Sequence, residues 1–274
     1  MLLPASGDVR TEDAQRLRSF TREADMLEPL LVGIPAVMPS GMGEPFFEVQ
    51  TLRGVVDLLF ARINKQVIRT RSKHQLPALI ELPAVAVMLA LTELGAIEGT
   101  GGPAHASDIA PRSSVSVGHL RRTVLPKLVE SGWVRAEGKG WVACQAYQVP
   151  VSAMTAVEIK RGDWRRALSQ AIAHRDFADT YVALDRGRFT RPGSAAQAFE
   201  YTGVGLLTVN ADDAVERRVE RIIAARRTRR QVLPQAVVAE RVIALIEAGR
   251  HSGDVPPVFG RFLTTTSGTD PRFR

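Results

Sequence analysis

The sequence predicts an α/β protein in which helices flank a mixed β-sheet and a second unit is inserted between two strands. Two apolar segments that carry acidic residues, 55–60 and 155–160, have the length and composition of strands. We expect the stretch between them to leave the sheet and return as a separate lobe with its own small core. The expected division is residues 1–75 for the first part of the sheet domain, 76–150 for the inserted domain and 151–274 for the second part.

Residues 155–160 form the strand on which the other predicted elements depend. Side chains alternate across a strand, so Glu158 and Lys160 share one face and the apolar residues beside them share the other. Charges at the end of an apolar strand are costly to remove from water and need a partner. Asp163 then suits the N-cap of a helix that begins at Trp164. A surface ion pair at the end of a strand is the simpler interpretation of this segment.

A second carboxylate lies in an apolar segment far upstream. Asp57 stands inside the segment 55–60, and residues 46–51 precede it across a turn near Gly54. This spacing predicts a β-hairpin with Asp57 on its second strand. An ionised aspartate is not buried in such a segment without a cation or several donors, so we expect Asp57 to face a partner.

Asp57, the triplet Glu158-Ile159-Lys160 and Gln170 together resemble the signature of the PD-(D/E)xK nuclease superfamily. The resemblance implies a restriction-endonuclease-like fold. It also implies a Mg²⁺ site, in which Mn²⁺ could substitute, made by the two carboxylates and the Ile159 carbonyl, because such hard oxygens suit this ion. In that site Lys160 would position or deprotonate the attacking water, and Gln170 would help to orient the groups.

The order of the elements supports the same resemblance. Residues 180–185 would add a strand, and residues 195–210 a helix that runs into a further strand. The resemblance spans residues 12–66 and 151–212. Val56 stands where the superfamily's name-giving proline would be, and the inserted unit separates the two carboxylates.

The first predicted helix spans residues 11–31, where apolar residues recur at helical spacing, and a loop follows over residues 33–45. The superfamily often has a metal-binding acidic residue on this helix. Glu23 and Glu28 are the two candidates for that position. An exposed glutamate without a role is the alternative for each.

The inserted unit has the predicted order helix, short helix, helix and hairpin. This order, and the segment 128–134 in particular, resembles a winged helix-turn-helix, which implies DNA binding. Pro126 should kink the third helix because proline removes a backbone hydrogen bond. The expected DNA contacts are Ser114, Ser116, His119, Arg121 and Arg122 in the major groove and Lys139 at the backbone. Winged helices also bind proteins, and that alternative stays open.

Positive charge is the main compositional signal. The chain has 36 basic and 29 acidic residues, a net charge of +7 and a pI near 10.1, which favours a polyanionic partner. Residues 62–74 predict either a solvated linker or a basic strand extension that contacts phosphates through Arg69, Arg71 and Lys73. Residues 214–230 predict an amphipathic basic helix.

Several classes of protein are excluded by what the sequence lacks. A single cysteine, Cys144, allows no internal disulfide and no cysteine-rich zinc site. The sequence has no phosphate-binding loop of the Gly-Lys-Ser/Thr type and no dinucleotide fingerprint. We expect no signal peptide and no membrane segment, since the most apolar window, 76–94, is interrupted by two prolines and two glutamates. A cytoplasmic protein is the expectation.

These features predict a metal-dependent DNA endonuclease that hydrolyses phosphodiester bonds, as in restriction, defence or transposition. Its expected partner is double-stranded DNA, recognised with the help of the inserted domain, and a homodimer is compatible with this function. Two alternatives stay open. One is a DNA-binding regulator on a nuclease fold that no longer cleaves, and the other is a nuclease subunit that is active only in a larger assembly.

Overall fold

The computed structural model describes residues 17–38, 43–189, 193–214 and 218–252. Within these ranges, six strands form one mixed β-sheet and two further strands form a separate hairpin. Helices pack on both faces of the large sheet. The predicted α/β class, with a mixed sheet flanked by helices, is therefore confirmed.

The strands are β1 (Glu44–Thr51), β2 (Gly54–Ile63), β3 (Val134–Glu137), β4 (Gly140–Ala143), β5 (Val151–Lys160), β6 (Asp179–Asp185), β7 (Gly205–Val209) and β8 (Val219–Ile223). The large sheet has the order β1-β2-β5-β6-β7-β8, and β3 pairs with β4 in the hairpin. β5, β6 and β7 run parallel, whereas β1, β2 and β8 are antiparallel to their neighbours.

The helices are α1 (Leu27–Val37), α2 (Lys65–Lys73), α3 (Leu82–Glu93), α4 (Ala106–Ser113), α5 (Val117–His119), α6 (Leu125–Glu130), α7 (Trp164–Ala173), α8 (Gly193–Thr202) and α9 (Val232–Glu247). A 3₁₀ turn, Glu23–Met26, leads into α1, and a π-helical turn, Leu120–Val124, joins α5 to α6. In the described ranges, each helix is too short or too polar to cross a bilayer.

The two parts of the sheet domain meet at β2 and β5. The predicted hairpin of β1 and β2 is present, and β2 lies beside β5 although the whole inserted unit separates them in sequence. Leu58 pairs with Val157, and Leu59 pairs with Ala156. This antiparallel register brings the start of β2 to the end of β5, where the predicted functional residues lie.

Alternation along β5 sends its side chains into two apolar layers. Val157 and Ile159 pack with α1 on the first face, whereas Ala156 packs with α9 on the second face. α7 and α8 also cover the second face, where they enclose Val182 of β6. Glu158 pairs with Val182 and so belongs to this second face.

The first helix begins and ends later than the sequence pattern predicts. Residues 1–16 lie outside the described part, the 3₁₀ turn starts at Glu23, and α1 continues through the expected loop to Val37. Gly33 lies so close to β8 that a Cβ atom there would fall 2.5 Å from a methyl carbon of Val219. Gly33 therefore allows α1 to pack closely against β8.

The basic segment 214–230 is not a helix in its described part. Residues 215–217 lie outside the description, and β8 occupies part of the remainder. β8 pairs with β7, so that Val209 lies opposite Val219. The pattern of the segment allows a helical stripe, but pairing satisfies the backbone groups along the edge of β7. The prediction of a basic C-terminal helix is wrong, and the C-terminal helix α9 is largely buried instead.

The inserted unit shares its core with the sheet domain. Helices α3 and α4, the helix over 117–130 and the hairpin enclose Met88, Ile109 and Trp133. The same apolar cluster includes Ala236 and Val237 of α9. Most of this cluster comes from residues 76–147, and α9 also packs in the apolar layer on the second face of the sheet.

The helix over 117–130 continues past Pro126. The Leu125 N–H donates to the Leu120 carbonyl five residues earlier, which widens the helix directly before the proline. In a regular helix the proline ring would clash with the carbonyl four residues back. The wider turn relieves this clash. The structure therefore has a π-helical turn next to Pro126, where the sequence predicted a kink.

Arg71 points into the protein and is 3% exposed. It lies on α2, a helix where a linker or a strand extension was expected. Its guanidinium donates to both carboxylate oxygens of Glu240 on α9, at 3.0 and 2.6 Å, and lies 4.8 Å from the ring centroid of Trp133. Because this burial keeps Arg71 from reaching a phosphate, we remove it from the expected DNA contacts. Arg69 and Lys73 are exposed on the same helix.

Candidate active site

Asp57 and Glu158 converge on the ammonium group of Lys160. Lys160 Nζ lies 3.4 Å from Asp57 Oδ2 and 3.2 Å from Glu158 Oε1. The same Asp57 oxygen accepts a hydrogen bond of 2.8 Å from the Ile159 N–H. Both carboxylates therefore project from the same face of two neighbouring strands, as was expected from the family resemblance, and Lys160 shares that face with Glu158, as strand alternation predicts.

Two further oxygens complete the surroundings of the ammonium group. Lys160 Nζ donates to the Ile159 carbonyl at 2.9 Å and lies 3.8 Å from Glu23 Oε2. Glu23 also accepts from the Arg161 N–H at 3.4 Å. Of the two acidic candidates near the N-terminus, Glu23 is thus at the site, whereas Glu28 is exposed on α1.

Burial dominates the electrostatics of Glu158, which is 1% exposed. Its pKa is raised to about 8: desolvation is the largest cause, the charge of Asp57 acts in the same direction, and Lys160 opposes both effects. Burial works to lower the pKa of Lys160, but Asp57, Glu158 and Glu23 together raise it. The site therefore holds an excess of negative charge that favours a cation.

Helix α7 carries Gln170, and its C-cap residue His174 lies beside Glu158. The helix begins as predicted, because the Asp163 carboxylate accepts from the Arg166 N–H at 3.1 Å. Gln170 and His174 lie one turn apart on this helix. His174 Nε2 is 3.9 Å from Glu158 Oε2. Sequence reasoning missed His174, although its spacing of four from Gln170 is a signal that could have identified it.

Several polar atoms of these side chains are buried without a hydrogen-bond partner in the described part of the chain. They are Gln170 Oε1, both His174 ring nitrogens and Glu158 Oε2, whereas Glu158 Oε1 lies 3.2 Å from Lys160 Nζ. Burial lowers the pKa of His174 to about 4, so the imidazole is neutral near pH 7. Buried polar atoms in this state are costly and point to a further ligand or ion at the site.

Backbone strain occurs on the strand next to Asp57. Phe47 pairs with Leu58 and Val49 with Val56, which leaves Glu48 across from Asp57 and outside the regular pairing. Glu48 is buried and has a φ angle of 51°, in the left-handed region. Such a residue costs about 1–3 kcal/mol, and outliers of this kind cluster at functional sites.

The donor set fits a small divalent cation held mainly by oxygen. Among the described residues, no group of three or more His, Cys, Asp or Glu side chains is placed to hold a metal ion. Mg²⁺, however, needs only one or two carboxylates because it keeps several waters. Asp57, Glu158 and the Ile159 carbonyl already surround one cationic group, Lys160. A metal ion would share these oxygens with the ammonium group or displace it.

The remaining predicted DNA contacts lie on the surface of the inserted unit. Ser114 follows α4 with a φ angle of 54°, and Ser116 caps α5 by accepting from the His119 N–H at 3.2 Å. Arg121 and Arg122 lie on the next turn. All five side chains, and that of Lys139 at the tip of the β3–β4 hairpin, are exposed.

No protein-family model, curated protein or solved structure matches this chain.

Proposed function

We propose that this protein is a metal-dependent DNA endonuclease of the PD-(D/E)xK type. The observation that carries the proposal is the convergence of Asp57 and Glu158 on Lys160, with both carboxylates within 3.4 Å of the ammonium nitrogen. Paired carboxylates beside a lysine at the end of a strand are the arrangement that the superfamily signature implies. Glu23 adds a further acidic group, 3.8 Å from the same nitrogen.

Each residue has a physical role in this proposal. Asp57, Glu158 and the Ile159 carbonyl would hold Mg²⁺ or Mn²⁺, which when bound supplies Lewis-acid activation of phosphate and water. Lys160 would position the attacking water and stabilise negative charge on the phosphate. The Ile159 N–H keeps the Asp57 carboxylate oriented. Glu158 must release its proton before it can bind a cation, because ligands bind metals in the deprotonated form.

The proposal also assigns the inserted unit to DNA recognition, as a winged helix-turn-helix. Three helical segments followed by a hairpin support this assignment. In such a domain the third helix enters the major groove, with its first residues at the bases. The exposed residues from Ser114 to Arg122 lie at that end of the helix, and Lys139 would contact the backbone from the hairpin.

A DNA-binding protein that does not cleave is the second candidate. The observation that favours it is the contact of Lys160 Nζ with one carboxylate oxygen of Asp57, one of Glu158 and the Ile159 carbonyl oxygen. A lysine in this position could serve as a permanent counter-ion, and the carboxylates would then have a purely structural role.

Cleavage of supercoiled plasmid by the purified chain separates the candidates. We expect nicking or linearisation that requires Mg²⁺ or Mn²⁺ and stops with EDTA. The variants Asp57→Asn, Glu158→Gln and Lys160→Met should each lose at least ~10²-fold in rate, the scale on which positioned acid–base groups act. Glu28→Gln is the matched control, because it removes an exposed carboxylate from α1 and should cleave normally.

DNA binding in EDTA provides the second measurement. All four variants should bind DNA as the wild-type protein does, because recognition is assigned to other residues. Binding without cleavage by the wild-type protein, under every divalent cation tested, would favour the non-cleaving candidate. Near-normal cleavage by any of the three site variants would remove that residue from the catalytic set.

A further inference from the structure

The basic segment that was predicted to be a helix lines a cleft near the start of β5, at the opposite end of this strand from Lys160. The cleft has a volume of about 1030 Å³, and β8 with the extended chain after it forms one wall. The starts of β5 and β6 and the end of β2 form the floor. Nothing in the proposed catalytic site accounts for this feature.

Arginine dominates the charge of the cleft. Arg62, Arg221, Arg227 and Arg230 line it, and Asp179 is the acidic residue among the lining side chains. Arg230 lies 3.1 Å and Arg227 3.8 Å from the Asp179 carboxylate. These four guanidinium groups and one carboxylate give the lining a charge of about +3 near pH 7.

The cleft is separate from the proposed catalytic site. Its lining includes Ser152 to Thr155 near the start of β5, whereas Glu158 and Lys160 lie at the end of that strand. Thr155 is the last residue of β5 in the lining. Lys160 is five residues further along that strand, or about 16 Å at the usual rise. A phosphate bound in the cleft is therefore not the phosphate at the catalytic carboxylates.

We propose that this cleft binds the phosphate backbone of a second stretch of nucleic acid. Guanidinium groups bind phosphates in a bidentate manner, and four arginines line this cleft. The aromatic residues of the floor are buried, so they offer no exposed face on which bases could stack. Binding would therefore be insensitive to sequence and strongly dependent on salt.

The extended wall suits a chain of phosphates better than a single anion. Arg221 and Arg227 lie six residues apart on β8 and its non-helical continuation. An extended chain of that length covers up to about 20 Å. Both side chains are exposed, and that of Arg227 is 84% exposed. They could follow several consecutive phosphates of one strand.

The double variant Arg221→Ala, Arg227→Ala tests the proposal by fluorescence anisotropy in EDTA. The probes are a labelled 20-nucleotide single strand and the corresponding duplex, over a range of salt concentrations. We expect at least a 10-fold increase in Kd for one of the probes. The plot of log K against log salt should become shallower by about 1.8 for the duplex or about 1.4 for the single strand.

The matched control is Arg18→Ala, Arg53→Ala. It removes the same two charges from exposed arginines outside the cleft, each of which is ion-paired with an aspartate. A second variant, Arg221→Gln, Arg227→Gln, keeps longer polar side chains and should behave like the alanine variant. Equal affinity and salt dependence in the cleft variants and the control would overturn the proposal, as would failure of the wild-type protein to bind either probe.

The outcome for the cleft is independent of the outcome for catalysis. Cleavage by a wild-type protein whose cleft variants bind normally would overturn the cleft proposal and leave the nuclease intact. Loss of binding in the cleft variants of a protein that does not cleave would support the cleft and count against the nuclease.

Discussion

Glu158 and His174 are buried against each other, with 3.9 Å between the carboxylate oxygen Oε2 and the ring nitrogen Nε2. Burial raises the pKa of Glu158 to about 8 and lowers that of His174 to about 4. Both changes favour the neutral form near pH 7, so the pair avoids two uncompensated charges in the interior. Glu158 therefore holds a proton that a metal ion would have to displace.

This relationship predicts how stability depends on pH without divalent cations. The folded pKa of Glu158 lies above its ordinary value of 4.5, so its contribution is lost as pH rises towards 8. The folded pKa of His174 lies below its ordinary value of 6.5, so its contribution is lost as pH falls towards 4. Between pH 6.5 and 8 the Glu158 contribution falls throughout, whereas the His174 contribution changes only slightly and levels off above its ordinary pKa of 6.5. The free energy of unfolding should fall there by up to about 1.4 kcal/mol per pH unit.

Glu158→Gln is the control for this pH dependence, because it keeps the shape of the side chain and does not titrate. Urea unfolding at pH 6.5, 7.25 and 8 should give a smaller decrease for this variant than for the wild-type protein. Other groups with shifted pKa values, such as Asp185 and Glu247, are common to both proteins and cancel in the difference. Identical slopes for the two proteins would show that Glu158 is already ionised in the folded state.

Cation binding should stabilise the protein more at high pH than at low pH. Mg²⁺ requires the ionised carboxylate of Glu158, which is populated only as pH approaches 8. At a fixed Mg²⁺ concentration, the rise in Tm should be larger at pH 8.5 than at pH 6.5, following the linkage of ligand binding to folding. Differential scanning fluorimetry measures this without any activity. Asp57→Asn should abolish the rise and Glu28→Gln should retain it, and a rise unaffected by Asp57→Asn would assign the metal ion to another place.

Arg121 and Arg122 should contribute to DNA affinity without affecting catalysis at the carboxylates. For Arg121→Ala, Arg122→Ala, the salt dependence of log K should become shallower by about 0.9 for each phosphate that the variant no longer neutralises. If one arginine reads a base edge, its removal should cost about 1–3 kcal/mol and relax the preference at one position. Anisotropy with duplex DNA measures both effects. Affinity equal to that of Arg18→Ala, Arg53→Ala would make the inserted unit a protein-binding module.

The ion pair of Arg71 with Glu240 should be important for the stability of the whole chain. Glu240 also accepts from the Leu79 N–H at 2.9 Å and from the Tyr147 hydroxyl at 2.7 Å. Arg71→Met leaves this carboxylate buried without its counter-ion, and we expect a loss of about 3–5 kcal/mol in urea unfolding. Arg71→Met combined with Glu240→Gln removes both charges and should recover part of that loss. A loss below about 1 kcal/mol for Arg71→Met would mean that solvent reaches the carboxylate when the arginine is absent.

The sequence determined which residue types occur on which face of the central strands. Strand alternation is a local property, so the common face of Glu158 and Lys160 and the position of Asp57 in a hairpin could be read from residues 46–60 and 155–160. The Asp163 N-cap is equally local. The pairing of β2 with β5 was expected from the superfamily resemblance, and alternation alone would not have revealed it.

Only the tertiary structure shows which contacts are made by the segments whose sequence pattern is ambiguous. The pattern of residues 219–223 is compatible with a helix, but these residues pair with the edge of β7 and form a strand. Arg71 lies in a basic segment that was predicted to contact DNA, but it is buried and forms an ion pair with Glu240. His174 is one polar residue among many in the sequence until α7 brings it to Glu158. In each case an interaction between residues distant in sequence outweighed the local preference, because burial removes the competing interactions with water.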